Sequence, residues 1–274
     1  MSDARPIGVF DSGLGGLTVI REIQRLMPGE RVLYLGDTAR CPYGERSEDT
    51  ITTFGLQDAK FLMDLDIKLL IVACNTVSSV ALQNLQQQIK EIPVIGVVLP
   101  GARAAVLRTA ERKIGVIGTA ATIRTNSYAT AIHKIDKDIK VYGKPCPLFV
   151  PLVEEGLLDS DITRLVAQHY LYDMIDLGVD CLILGCTHYP LLMEVIQGTV
   201  GNRMQLLDSA LWTAKEAQDI LTALDALSPD TNGGISKSSF MVTDLTTHFE
   251  VLAEAFLGQQ IPAIEKISLE ELVK

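Results

Sequence analysis

The chain has 274 residues, 47% of them hydrophobic and 21% charged, which suits one large globular domain or two lobes and argues against disorder. Its 34 acidic and 24 basic residues leave a formal charge of −10, a poor match to general nucleic-acid binding, which rests on basic surface. No apolar run approaches the roughly 18 residues of a membrane span, and MSDARPIGVF lacks the apolar stretch of a secretory signal, so the expected location is the cytoplasm with the 5 cysteines reduced.

In chain order, Pro6–Phe10, Arg31–Gly36, Lys68–Ala73 and Ile92–Val98 read as buried strands, each followed by turn residues and a helix-period stretch. That alternation predicts an α/β fold with a mostly parallel sheet. A second series begins near Lys113. Ile7-Gly8-Val9 recurs as Ile114-Gly115-Val116 at an offset of 107, and Arg31–Leu35 has a counterpart at Lys140–Gly143, offset by about 109. Leu70–Cys74 matches Leu182–Cys186, and Ile92–Gly96 matches Met204–Asp208, both at an offset of 112. These matches predict an old duplication, giving two pseudo-symmetric lobes with a cleft between them; the plainer alternative is two unrelated lobes of similar composition. The expected division is residues 1–97 plus 211–274 for the first lobe and 98–210 for the second. From Leu211 the pattern is a helix, a polar loop over Ser228–Ser239, a strand at Ser239–Val242 and a helix over Thr246–Leu257. Phe249, Leu252, Ala253 and Phe256 fall on one face of that last helix, and the tail is expected to complete the first lobe.

In parallel α/β sheets, sites lie at the carboxyl ends of strands. Those ends carry Asp11-Ser12-Gly13-Leu14-Gly15-Gly16, Cys74-Asn75-Thr76, Gly118-Thr119-Ala120-Ala121-Thr122 and Cys186-Thr187-His188-Tyr189. Helix-start N–H groups with Ser, Thr and Asn side chains can cage carboxylates. A dinucleotide reading of the glycines fails on detail: the third glycine of GxGxxG is Thr18, and Asp11 would repel a pyrophosphate. Gly13, Gly15 and Gly16 otherwise read as a tight turn. Cys74 and Cys186 sit at equivalent strand ends. A single cysteine is more often a small buried hydrophobe, a description that fits Cys181 better. No CxxC pair exists and only His188 is near either cysteine in sequence, so no metal site is expected. Two opposed thiols suit removal of a proton from one face of a carbon and delivery of another to the opposite face. A free thiol with a pKa near ~8.5 is a few per cent thiolate at neutral pH, and a nearby base assists. Asp11 is the candidate helper for Cys74, and Glu154 and His188 for Cys186; each, taken alone, could be a cap, a solvated carboxylate or a structural imidazole. No lysine sits at a strand end as a Schiff-base candidate, and Lys68 is read as merely beginning a strand.

These motifs resemble the glutamate racemases. The resemblance runs through IGVFDSGLGGLTV (Ile7–Val19), GDTARCPYG (Gly36–Gly44), ACNT (Ala73–Thr76), IPVIGV (Ile92–Val97), IGVIGTAAT (Ile114–Thr122), CPLFVPLVEEG (Cys146–Gly156) and GCTHYPLL (Gly185–Leu192), in family order. It implies a cofactor-independent enzyme that interconverts L- and D-glutamate for cell-wall peptidoglycan, acts on a small-molecule substrate and forms a homodimer. It implies Cys74 and Cys186 as the opposed acid and base, with Asp11, Glu154 and His188 assisting; Glu154 is preferred to Glu155 because it directly follows Pro-Leu-Val. Implied substrate contacts are Ser12, Pro42, Tyr43, Gly44, Asn75, Thr76, Thr119, Thr122 and Thr187. Val77-Ser78 departs from the family's usual Ala followed by Ser or Thr, which bears on helix packing under the site. The competing readings are an aspartate or broad acidic amino-acid racemase, a non-catalytic binding protein that closes on an anionic amino acid, and, more remotely, a nicotinamide dehydrogenase.

Overall fold

Ten strands are seen in the computed structural model, which describes residues 2–245, 249–261 and 263–273. They are β1 Ile7–Asp11, β2 Val32–Gly36, β3 Leu69–Val72, β4 Val94–Gly96, β5 Lys113–Gly118, β6 Lys140–Pro145, β7 Cys181–Gly185, β8 Gln205–Asp208, β9 Ser239–Val242 and β10 Ile264–Lys266. They form a six-stranded sheet of order β10-β9-β2-β1-β3-β4 and a four-stranded sheet of order β6-β5-β7-β8. Every pairing is parallel. The central strands are buried on both faces, as expected for a parallel sheet covered by helices. Successive residues of β3 alternate between two cores: Leu69, Ile71 and Ala73 face one, and Leu70, Val72 and Cys74 the other.

The two sheets repeat each other in register as well as in order. Ile7 pairs with Val32 and Leu69, and Leu70 with Val94. In the second sheet Ile114 pairs with Val141 and Cys181, and Leu182 with Leu206. Each pair maps onto its counterpart at the offsets of 107, 109 and 112 read from the sequence. The carboxyl ends of β1, β3, β5 and β7 therefore occupy equivalent places, and Cys74 and Cys186 each follow the strand next to the central one. The helix Ser209–Ala223 packs against both Leu17–Leu26 and Val98–Arg108, so it touches helices of both sheets.

Several boundaries differ from the sequence reading. The apolar run Ile92–Val98 is split: only Val94–Gly96 is strand, and Val98 opens the helix Val98–Arg108. Periodicity cannot separate a buried strand from a buried helix start, and Pro100 suits a first helical turn. β6 runs on to Pro145, which a sheet edge tolerates. β10, an edge strand of three residues, carries no readable pattern. The last long helix is Phe249–Leu257, with Leu252, Ala253 and Phe256 buried; the expected start at Thr246 lies outside the described residues.

Lys68 does more than begin a strand. Its buried ammonium donates to the carbonyls of Asp3 at 2.8 Å and Ala226 at 2.9 Å and pairs with buried Glu30 at 2.7 Å. Glu30 also accepts from the backbone N–H of Ser228 at 2.7 Å. One ion pair thus ties the start of the chain and the segment after helix Ser209–Ala223 to the first sheet. Removing one partner of a buried pair leaves an uncompensated charge, so Lys68→Met is expected to lower unfolding stability by about 3–5 kcal/mol in urea titrations. Lys68→Met combined with Glu30→Gln should recover a large part of that loss.

Candidate active site

Cys74 caps the helix Asn75–Val80, and Cys186 follows β7. Both line one cavity of about 20 Å³, the room of roughly a single water. Its other walls are Ser12, Cys41, Pro42, Tyr43, Gly44, Asn75, Thr76, Thr119, Val150, Thr187 and His188. The first sheet supplies the residues up to Thr76 and the second the rest, so the cavity lies at the carboxyl ends of both sheets. A site this small and buried must widen to admit any amino acid.

The two thiols have different partners. Cys74 Sγ donates to Ser12 Oγ at 3.5 Å. Burial, then the charge of Asp11, pushes its pKa up to about 12 against weaker opposing hydrogen bonds, so it rests as a neutral thiol. Cys186 Sγ lies 3.9 Å from His188 Nδ1, and His188 Nε2 lies 3.4 Å from Glu154 Oε1. Burial works against a charged His188, but hydrogen bonds to Cys186 and Glu154 and the charges of Cys186 and Asp11 outweigh it and push the ring up to about 10. Glu154 is held below the usual carboxylate range: burial opposes this, and the hydrogen bonds from His188 and Cys41 prevail. The His188 ring also meets Phe256 edge-on, with centroids 5.5 Å apart, so the tail helix closes over it.

Asp11 is fully buried and does not line the cavity. Its carboxylate accepts from Gly13 N–H at 3.1 Å and from the Thr187 hydroxyl at 3.3 Å. Among the described residues it makes no hydrogen bond to Cys74, the thiol it was expected to assist. It acts on Cys74 and on His188 through charge and anchors Thr187. Glu154 stands at the rim beside His188, while Glu155 caps its helix in solvent. Thr122 does not line the cavity; its hydroxyl meets that of Thr119 at 3.0 Å, and Thr119 in turn meets Thr76 at 3.0 Å across the sheets. Asn75 Oδ1 accepts from Tyr128 OH at 2.7 Å, which fixes the amide, and the buried Nδ2 is left with no partner among the described residues. Asn75 lines the cavity together with Ser12, Thr76, Thr119 and Thr187.

Gly15 and Gly16 form the expected turn into the helix Leu17–Leu26, and the glycines also serve close approach. A Cβ on Gly15 would sit 2.2 Å from Thr187 Oγ1, and one on Gly44 2.6 Å from Thr119 Cβ, so each lets the two sheets meet. The loop carrying Pro42–Gly44 rests on a buried polar cluster absent from the sequence reading. Tyr43 OH donates to Asp37 and, at 3.2 Å, to Asp58; Arg40 bonds Asp37 at 2.5 Å and Asp58 at 3.0 Å. Two buried carboxylates share one guanidinium. Burial, then the neighbouring Asp37, raises Asp58 well above its ordinary range. Cys41 and Val150 were also not anticipated as cavity walls; each stood only inside a quoted motif, GDTARCPYG and CPLFVPLVEEG. Among the described residues no three His, Cys, Asp or Glu side chains are grouped to hold a metal ion.

Two parallel α/β sheets meeting at their strand ends around paired thiols and hydroxyl and amide donors are the architecture of the amino-acid racemase class to which the sequence comparisons assign the chain. Residues 7–217 match the sequence profile of the family described as Asp/Glu/Hydantoin racemase, and the chain belongs to that family. It is 47% identical over 266 residues to a glutamate racemase of Geobacter metallireducens, covering 97% of both chains. The crystal structure of glutamate racemase from Francisella tularensis in complex with D-glutamate superposes with a TM-score of 0.92 at 41% identity, covering 98% of this chain and 99% of that one. That from Thermus thermophilus, in complex with β-chloro-D-alanine, gives 0.87 at 44% identity, covering 99% and 100%.

The raised pKa of His188 has a stability signature. The folded state keeps a proton that an unfolded imidazole, with a pKa near ~6.5, gives up. Its contribution is therefore fully present below pH ~6.5 and is lost as pH rises through about 10. Urea midpoints measured from pH 6 to 10 should fall more steeply for the wild type than for His188→Asn; parallel curves would contradict a charged His188.

Proposed function

We propose that this protein interconverts L- and D-glutamate without a cofactor, by two-base proton transfer at Cα, and so supplies D-glutamate for peptidoglycan. The observation that carries the reading is that Cys74 and Cys186, from equivalent strands of two repeated sheets, wall one buried cavity, each with a different side-chain partner. The relatives' substrate, glutamate, fits the donor set. The α-carboxylate would lodge on Asn75 Nδ2 and the surrounding hydroxyls, which stabilise charge as Cα becomes carbanion-like. Closure of the lobes removes water and strengthens those interactions.

The resting protonation suggests how a turn begins. Cys74, held as a thiol, is the proton donor. Cys186 is the base, with the His188 ring, steadied by Glu154, beside its sulfur. Read with the family resemblance, this is the L-to-D direction, and the reverse exchanges the two roles. Groups in one site whose environments differ in this way divide acid from base work. Contacts of about 3–3.5 Å from each sulfur to Cα imply sulfurs roughly 7 Å apart when substrate is bound. Within this reading Asp11 orients Thr187 and biases Cys74 and His188, and Thr122 supports Thr119. The lobes are residues 1–97 with 211–274 and 98–210, and the working form is a cytoplasmic homodimer. The described helices include none long and apolar enough to cross a membrane.

Circular dichroism should record loss of optical activity of either glutamate enantiomer with no cofactor added, and aspartate should turn over far more slowly. Product formed in heavy water should carry deuterium at Cα; retention of the original hydrogen would refute the two-base scheme. Cys74→Ala and Cys186→Ala should each lower turnover by about 10²–10⁴-fold with the fold intact. A double variant that still racemises would remove the assignment.

A further inference from the structure

We propose that Cys41, a third thiol at the cavity, is a positioning residue that holds the Glu154 carboxylate against His188 from across the two lobes. The inference rests on the reading of His188 and Glu154 given above and extends it by one residue. Cys41 lies in the loop after β2, on the first sheet's side, whereas Glu154 ends a helix that follows β6 of the second. Its Sγ donates to Glu154 Oε1 at 3.6 Å, and the same oxygen lies 3.4 Å from His188 Nε2. A chain of contacts therefore runs Cys41–Glu154–His188–Cys186 and ends on one of the two proposed acid–base sulfurs.

A second observation places the thiol and the ring on one footing. Both pack over Gly13: the position of a Cβ there would lie 3.5 Å from Cys41 Sγ and 3.7 Å from His188 Cε1. The backbone of Gly13 is fixed in turn, its N–H on Asp11 and its carbonyl accepting from Tyr34 OH at 2.7 Å. Glu154 itself is 44% exposed at the side chain, so its carboxylate would be free to swing into solvent without a second contact. Cys41 supplies that contact. Burial, with the charges of Glu154 and Asp11 behind it, pushes the Cys41 thiol well up, which keeps its proton in place as a donor and makes it a poor nucleophile. Its task is thus distinct from that of Cys74 and Cys186: it moves no proton to or from substrate.

Because the link acts on the arrangement of the relay and not on substrate, its loss should appear in kcat and spare KM. Cys41→Ala is expected to lower kcat about three- to tenfold with KM for glutamate within twofold of wild type. Cys41→Ser, which restores a donor, should return kcat to within about twofold. In a Glu154→Gln background the further effect of Cys41→Ala should vanish, because the thiol then has no carboxylate to hold. Should the alanine variant fail to fold, Cys41→Val fills the space without a donor and takes its place. Unchanged kcat in Cys41→Ala, a rise in KM alone, or an equal loss with and without Glu154→Gln would overturn the inference. If Glu154→Gln by itself leaves kcat unchanged, the role of Glu154 falls and the inference with it; if Glu154→Gln is slow but Cys41→Ala is not, only the inference falls.

Discussion

The constraint on which the rest depends is that two sulfurs must share one small buried space while belonging to different sheets. Parallel sheets put their functional groups at strand carboxyl ends. Facing two such sheets end to end brings two sets of strand ends together without long loops. The repeat delivers this economically: Ile7 and Ile114 hold the same register against their neighbours, so residues following β3 and β7 arrive at equivalent places. Where the sheets touch, the contacts are small: Gly15 on Thr187, Gly44 on Thr119, and hydroxyl on hydroxyl at Thr76–Thr119. Bulk at any of these points would hold the sulfurs apart.

The scaffold is symmetric but its wiring is not. Cys74 leans on a serine hydroxyl and lies in the field of Asp11, whereas Cys186 leans on an imidazole backed by a carboxylate. A reaction whose substrate and product are mirror images has an equilibrium constant of one, so kcat/KM is equal in the two directions. The asymmetry of the site can therefore set only which proton is loaded at rest and how kcat and KM divide. The tail contributes to the same side: Phe256 packs on the His188 ring, and Lys68 with Glu30 fastens the segment that leads into the tail. Both the imidazole's surroundings and the closure of the fold thus depend on residues beyond the repeated part.

Much of this was legible in the amino-acid order because buried parallel strands write continuous apolar runs. Two such series at nearly constant offset write the repeat as well. The strand ends then pointed to Cys74, Cys186, His188 and the threonines. What escaped was whatever depends on partners distant in sequence. Lys68 looked like the flank of a strand because Glu30 and Ala226 meet it only in three dimensions. Asp37 and Arg40 lie in a motif that was quoted for its resemblance, yet the charge they share with Asp58 is invisible until helix Glu48–Met63 packs on the loop. Asp11 was named as helper to Cys74, which its charge reaches, but its hydrogen bonds to Gly13 and Thr187 were not readable. Cys41 stood only as one letter of GDTARCPYG, since Glu154 lies 113 positions away.

The most direct test is a high-resolution structure of the protein with glutamate bound. The account predicts Cα lying between the sulfurs of Cys74 and Cys186, about 3–3.5 Å from each and on opposite faces. A ligand with both sulfurs on one side of Cα, or with either of them turned out of the cavity, would contradict it.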